Sequence, residues 1–147
     1  MTFFLAAFFL YLTQDAWSGS LADTQKIASD NLRVNEALSR VAAENLANAD
    51  SANYAPKSIT VESKKLPSGA SSVKVKRIRK DEKRVVSTYD PSHPQADTQG
   101  YVAKPDVDPM IELMNMQRVK HSSEIALKVF ETATDMRHKM ISMMGTR

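Results

Sequence analysis

Three histidines and one dense run of lysine and arginine are the residues of this 147-residue chain whose types invite a chemical role. An imidazole acts as a base or a metal ligand only beside its partners, and His93, His121 and His138 have none at a useful spacing. No HExxH, GxSxG or GxxxxGK[ST] pattern occurs, and the seventeen residues between His121 and His138 exceed one turn of a helix. The absence of cysteine removes disulfides, zinc-thiolate sites and thiol catalysis together. A Ser-His-Asp site assembled only in three dimensions is the one catalytic alternative left. The chain therefore reads as a non-enzyme with no cofactor, no metal and no small-molecule substrate.

The basic run KVKRIRKDEKR (74–84) holds seven basic and two acidic residues, a net of +5 on a chain whose total is +3. The remainder is thus about −2, and a uniformly basic nucleic-acid surface is not indicated. Lys74 and Lys76 alternate with Val73 and Val75, as on a half-buried strand with a solvated outer face. No aromatics interleave with the charges, as single-strand binding would require. A solvated face is the preferred reading, and a basic nucleic-acid-binding adaptor is the alternative.

These residues must be held by the elements around them. From Leu21 to Ala47 the pattern is helical, with Ser20 and Asp23 as a capping box at its start. Ile27, Asn31, Val34, Leu38, Val41 and Asn45 follow spacings of 4, 3, 4, 3 and 4, a heptad seam with Asn31 and Asn45 at equivalent positions. A buried Asn there costs stability and fixes register, because only a matching partner satisfies its amide; the bland reading puts both at the wet edge of the seam. Asn48 and the turn chemistry of ADSANYAP end the helix.

From Ser58 the period changes to two. SITVE (58–62), SVKVKRI (72–78) and VVSTY (85–89) predict short strands of a small, partly exposed antiparallel unit, with LPSGASS (66–72) as a hairpin turn or loose loop. YDPSHPQADTQGYVAKPDVDP (89–109), with four Pro and one Gly, predicts an extended connector without regular structure. Asp108 then caps a helix whose first residue is Pro109, with Glu112 in its positive first turn. Val119, Ser122, Ala126, Val129, Ala133, Met136, Met140 and Met143 carry a second seam to a stop at Gly145.

The expected fold is mainly α with a small β-rich insert. Its parts are an apolar extension (1–20), an N-terminal helix (21–48), a β-prone centre (49–88), a connector (89–108) and a C-terminal helix (109–147), the two helices forming a coiled-coil inner domain. At 147 residues the chain is one domain by length, yet only 7% of it is aromatic and most of its Phe lies in the first nine residues. Such a core is thin, and two helices with uncovered apolar faces must meet each other, neighbouring subunits, or both. The apolar run from Phe3 to Leu12 spans about 15 Å as a helix against a hydrocarbon core of about 30 Å. It reads as a cleaved signal, a membrane-seeking extension or a start codon chosen too early.

At ENLANADS (44–51) the chain resembles the axial proteins of the bacterial flagellum, which share an N-terminal helix ending in an NLANADT-type motif and a complementary C-terminal helix. YDPSHPQAD (89–97), GYVAKPDVD (100–108) and IELMNM (111–116) narrow the resemblance to the proximal-rod branch; another axial rod subunit is the runner-up. The match runs from about Leu21 to Gly145. It implies a structural subunit of the basal-body rod, which crosses the periplasm and transmits torque, exported from the cytoplasm through the flagellar type III apparatus without a cleaved signal. By the same resemblance Asn45, Leu46, Asn48, Asp50, Tyr89, Pro91, Gly100, Tyr101, Val102, Pro105 and Val107 are assembly positions. The implied partners are further copies, other rod subunits, and MS-ring or rod-adaptor proteins at the base. The twenty residues before the first helix depart from the family pattern.

Overall fold

The computed structural model describes residues 2–145, with side chains described from residue 21 onward. Its element order is α1 (Thr2–Ala47), β1 (Lys57–Lys65), β2 (Ser71–Lys80), a single 3-10 turn (Glu82–Arg84), β3 (Val85–Tyr89), β4 (Tyr101–Pro105) and α2 (Pro109–Gly145). Two long helices thus frame short antiparallel strands. The strands form two separate two-stranded sheets, β1 with β2 and β3 with β4, rather than one antiparallel unit.

Two expectations are corrected. Helix α1 does not begin at Ser20: it is continuous from Thr2, so the amides of residues 21–24 meet carbonyls of the preceding turn and no cap is required there. The three readings of residues 1–20 rest on side chains outside those described. The connector is not without regular structure either, because Tyr101–Pro105 pairs with β3, Val85 opposite Pro105 through Tyr89 opposite Tyr101. Pro105 sits at the strand's last residue, where a missing N–H interrupts no ladder bond.

The start of α2 follows the sequence closely. The Asp108 carboxylate accepts the amides of Met110 at 2.8 Å and Ile111 at 3.3 Å, and the Asp108 carbonyl accepts that of Glu112 at 3.1 Å.

The chain divides into two compact units. The first holds α1 as far as Arg33, the hairpin tip Ser63–Lys74 and α2 from Ser123 onward. Its interior is small-sided: Ala28, Leu66, Ala126 and Ala133 are buried, and the Gln25 amide donates to Thr134 Oγ1 at 2.7 Å, tying α1 to α2. Buried Asp30 accepts from Ser72 Oγ at 2.8 Å and pairs with Lys26 one turn earlier. The Lys26 hydrogen bond outweighs burial and, with that of Ser72, holds the Asp30 carboxyl below its ordinary range. Asn31 is half-buried.

The second unit holds α1 from Val34, β1 to Glu62, β2 from Val75, both strands of the other sheet and α2 to Ser122. Val34, Val41, Ala42, Pro56 and Val102 form its core. The helices cross-link at Asn35–Ser122 (3.0 Å) and Asn45–Glu112 (3.4 Å), so ten residues forward on α1 match ten backward on α2. The pair is antiparallel.

Candidate assembly site

The motif that closes α1 is a hydrogen-bonding device. Asn45 is 2% exposed and has both ends of its amide satisfied. Its Oδ1 accepts from the Lys57 amide at 2.8 Å and the Tyr54 hydroxyl at 3.0 Å, while its Nδ2 donates to the Lys57 carbonyl at 3.0 Å and to Glu112 Oε1 at 3.4 Å. By engaging N–H and C=O of one residue, the side chain acts as a one-residue strand on the edge of β1. Of the two readings of Asn45, the buried one holds, and its partners come from within the chain.

Asn48 ends the helix as expected. Its side-chain amide donates to the Glu44 carbonyl at 2.8 Å, and its oxygen accepts from Ser51 Oγ at 3.3 Å. Asn53, at φ +61°, turns the chain through the left-handed region and donates its amide to the Ala103 carbonyl of β4 at 2.8 Å. Glu44 pairs with Lys57, which raises the ammonium pKa, and burial pushes the Tyr54 phenol up, keeping it a neutral donor to Asn45. Leu46 is half-buried and Asp50 exposed.

The connector residues gather around Gly100. It adopts φ +82°, and a Cβ there would lie 2.9 Å from the Tyr89 ring and 3.1 Å from Pro91 Cβ. The rings of Tyr89 and Tyr101 meet edge to face with centroids 5.3 Å apart. Asp97 holds the turn, its carboxylate accepting the amides of Gln99 and Tyr101, both at 2.8 Å. Val102 and Pro105 are buried, Val107 is half-buried, and Pro91 is exposed.

Sequence reading missed Tyr54, Lys57 and Glu112 as partners of Asn45. Glu112 is 7% exposed, whereas Met110, Ile111, Leu113 and Met114 around it are all exposed. The first two turns of α2 are thus inverted, with the carboxylate inside. The available signal was a lone acid between Ile111 and Leu113, read only as a helix-start charge. Beside this pair lies a cleft of about 160 Å³ with Leu38, Ile59 and Val119 on its walls and Arg84 and Asn115 among its polar residues. That is well below the several hundred Å³ typical of a small-molecule site.

The predicted seams divide by position. On α1, Val34 and Val41 are buried and Leu38 half-buried; on α2, Val119 is half-buried. In the first unit Ala126 and Ala133 are buried and Met140 half-buried, while Val129 is 42% and Met136 53% exposed. The side chains that share the inward face with Ala126 and Ala133 are Ser123 and Phe130, half-buried, in place of Val129 and Met136. His93 takes the Gln95 amide on Nδ1 at 3.1 Å, and His121 and His138 lie exposed on α2. Among the described residues no three His, Asp or Glu side chains gather as a metal site would require, and no helix is long and apolar enough to cross a membrane.

Comparison with curated proteins bears on this arrangement. The flagellar basal-body rod protein FlgC of Agrobacterium fabrum is 35% identical over 124 residues, covering 79% of this chain and 89% of that protein. The chain belongs to the FlgC family of flagellar basal-body rod proteins. The FlgC of Escherichia coli O6:H1 is 31% identical over 124 residues, 80% of this chain and 92% of its own. That of Bacillus subtilis is 32% identical over 71 residues, 48% of this chain and 47% of its own. No family model matches the chain. The FlgC relatives of Agrobacterium and Escherichia thus cover most of the span in which the helix-closing motif, the connector and the capped α2 occur.

Proposed function

We propose that this chain is a structural subunit of the flagellar basal-body proximal rod, polymerising through α1 and α2 and carrying torque across the periplasm after export from the cytoplasm. Family membership supports the rod role. The observation that carries the mode of assembly is the exposed stripe of Ile125, Val129 and Met136, which repeats at 4 and 7 along the flank of α2 beside the face that carries buried Ala126 and Ala133. A regular apolar stripe on a solvent face is unfavourable in a free chain and favourable under a neighbouring helix, giving the terminal helices a coiled-coil seam between subunits. Contacts of this heterologous kind propagate into helical assemblies. Further copies, other rod subunits and the MS-ring or adaptor proteins at the base are the neighbours this reading implies. Val129, Met136 and Met140, with the motif residues from Asn45 to Val107, are its assembly positions.

Val129→Asp tests it. The side chain is already exposed, so the free chain should melt within about 0.5 kcal/mol of the parent. Export should persist while purified basal bodies lack the subunit and cells do not swim. Normal swimming and incorporation would refute the seam.

A further inference from the structure

The β3–β4 ladder fixes which peptide groups face outward. Asp106 N–H donates to the Arg84 carbonyl at 2.8 Å and Asp90 N–H to the Gly100 carbonyl at 2.9 Å. With the register of Val85 opposite Pro105, the peptide groups of Val86 and Thr88 therefore point into the ladder, and those of Val85, Ser87 and Tyr89 point away. On β4 the outer edge is closed. Asn53 covers the Ala103 carbonyl, Asp97 takes both N–H and C=O of Tyr101, and Pro105 has no N–H to offer. On β3 it is open: among the described residues, the N–H and C=O of Ser87 and Tyr89 and the C=O of Val85 carry no hydrogen bond.

Natural sheets protect such edges with charge, and β2 carries Lys74, Lys76, Arg77, Arg79 and Lys80. The β3 strand VVSTY has no charge and exposes Val86 and Tyr89. Charges flank it instead, Arg84 before and Asp90 after. We infer that the open edge of β3 pairs antiparallel with β3 of a second copy about a two-fold axis at Ser87. That register sets Val85 opposite Tyr89 and Val86 opposite Thr88, both β-prone pairs, and brings Arg84 opposite Asp90 of the partner subunit at each end. Self-pairing of β2 would instead oppose cations. The product is a four-stranded sheet, which is stable where a lone two-stranded sheet is marginal. An isologous contact closes on itself, so this dimer belongs to the unassembled chain and not to the propagating contacts of the rod.

Amide hydrogen exchange on the full chain at several concentrations tests the pairing, alongside sedimentation of variants. The Ser87 and Tyr89 amides should exchange about tenfold more slowly, or slower still, in concentrated than in dilute solution, while those of Val86 and Thr88 do not respond. Ser87→Pro, which removes an N–H that the β3–β4 ladder does not use, should sediment as a monomer with its ladder amides still protected. Val129→Asp should remain a dimer. Fast, concentration-independent exchange at Ser87 and Tyr89 would overturn the inference. So would a dimer that survives Ser87→Pro or is lost in Val129→Asp, and so would protection that arises only when other rod proteins are added.

Discussion

Asn45 of α1 and Glu112 of α2, 67 positions apart, meet in the interior at 3.4 Å, and Asn45 spends its other bonds on Lys57 and Tyr54. One side chain thus fixes where the first helix ends, where β1 begins and how α2 aligns. Asn45→Asp removes the donor to the Lys57 carbonyl and sets a second carboxylate against Glu112. A loss of about 3 kcal/mol is expected in urea unfolding, with a smaller loss when Glu112→Gln is added to relieve the repulsion. Equal losses in the single and double variants would show that repulsion plays no part.

Gly100 and Gly69 separate backbone strain from steric conflict. Both have positive φ, +82° and +90°, but a Cβ at Gly69 meets open space whereas one at Gly100 meets Tyr89 and Pro91. Gly69→Ala should cost about 1 kcal/mol. Gly100→Val adds a branched side chain and the clash to the strain, and about 3 kcal/mol with a disturbed Tyr89–Tyr101 contact is expected. Thermal or urea melts give the energies, and near-ultraviolet circular dichroism reports the ring pair. A Gly100→Val variant as mild as Gly69→Ala would contradict the geometry.

The basic strand should matter less. Lys76 pairs with Glu62 at 3.0 Å with its side chain more than half exposed, and exposed pairs of this kind contribute at most about 1 kcal/mol. Changing Lys74, Lys76, Arg77 and Arg79 to Gln together should leave folding and swimming largely intact. Immotile cells with this variant, together with salt-dependent retardation of DNA by the parent chain, would instead assign the run to a polyanion.

Acid should weaken the first unit through Asp30. Its carboxyl is held low in the folded chain, so the unfolded chain binds the proton more readily, and stability falls as pH falls. The contribution is whole above the ordinary aspartate pKa of about 3.9 and disappears as pH drops through the lower folded value. Urea midpoints of Asp30→Asn should therefore change less between about pH 5 and pH 2 than those of the parent. Parallel pH profiles would mean that the Lys26 and Ser72 contacts do not persist in solution.

Local signals in the sequence were sufficient for both helices and the first three strands. Asp108 before Pro109 determines the start of α2, Asn48 the end of α1, alternation at SITVE and SVKVKRI the first two strands, and the β-prone residues of VVSTY the third, because caps, periodicity and propensity act within a few residues. The heptad spacing also placed an apolar stripe on α2, but periodicity cannot say which half of a stripe the chain covers itself. Tertiary packing turned Ala126 and Ala133 inward beside Ser123 and Phe130 and left Val129 and Met136 outside. The same packing made a strand of YVAKP, whose Pro argued against one until β3 supplied its ladder. It also buried Glu112 between exposed Ile111 and Leu113, because the Asn45 and Asn115 amides that satisfy this carboxylate come together only when the helices pair.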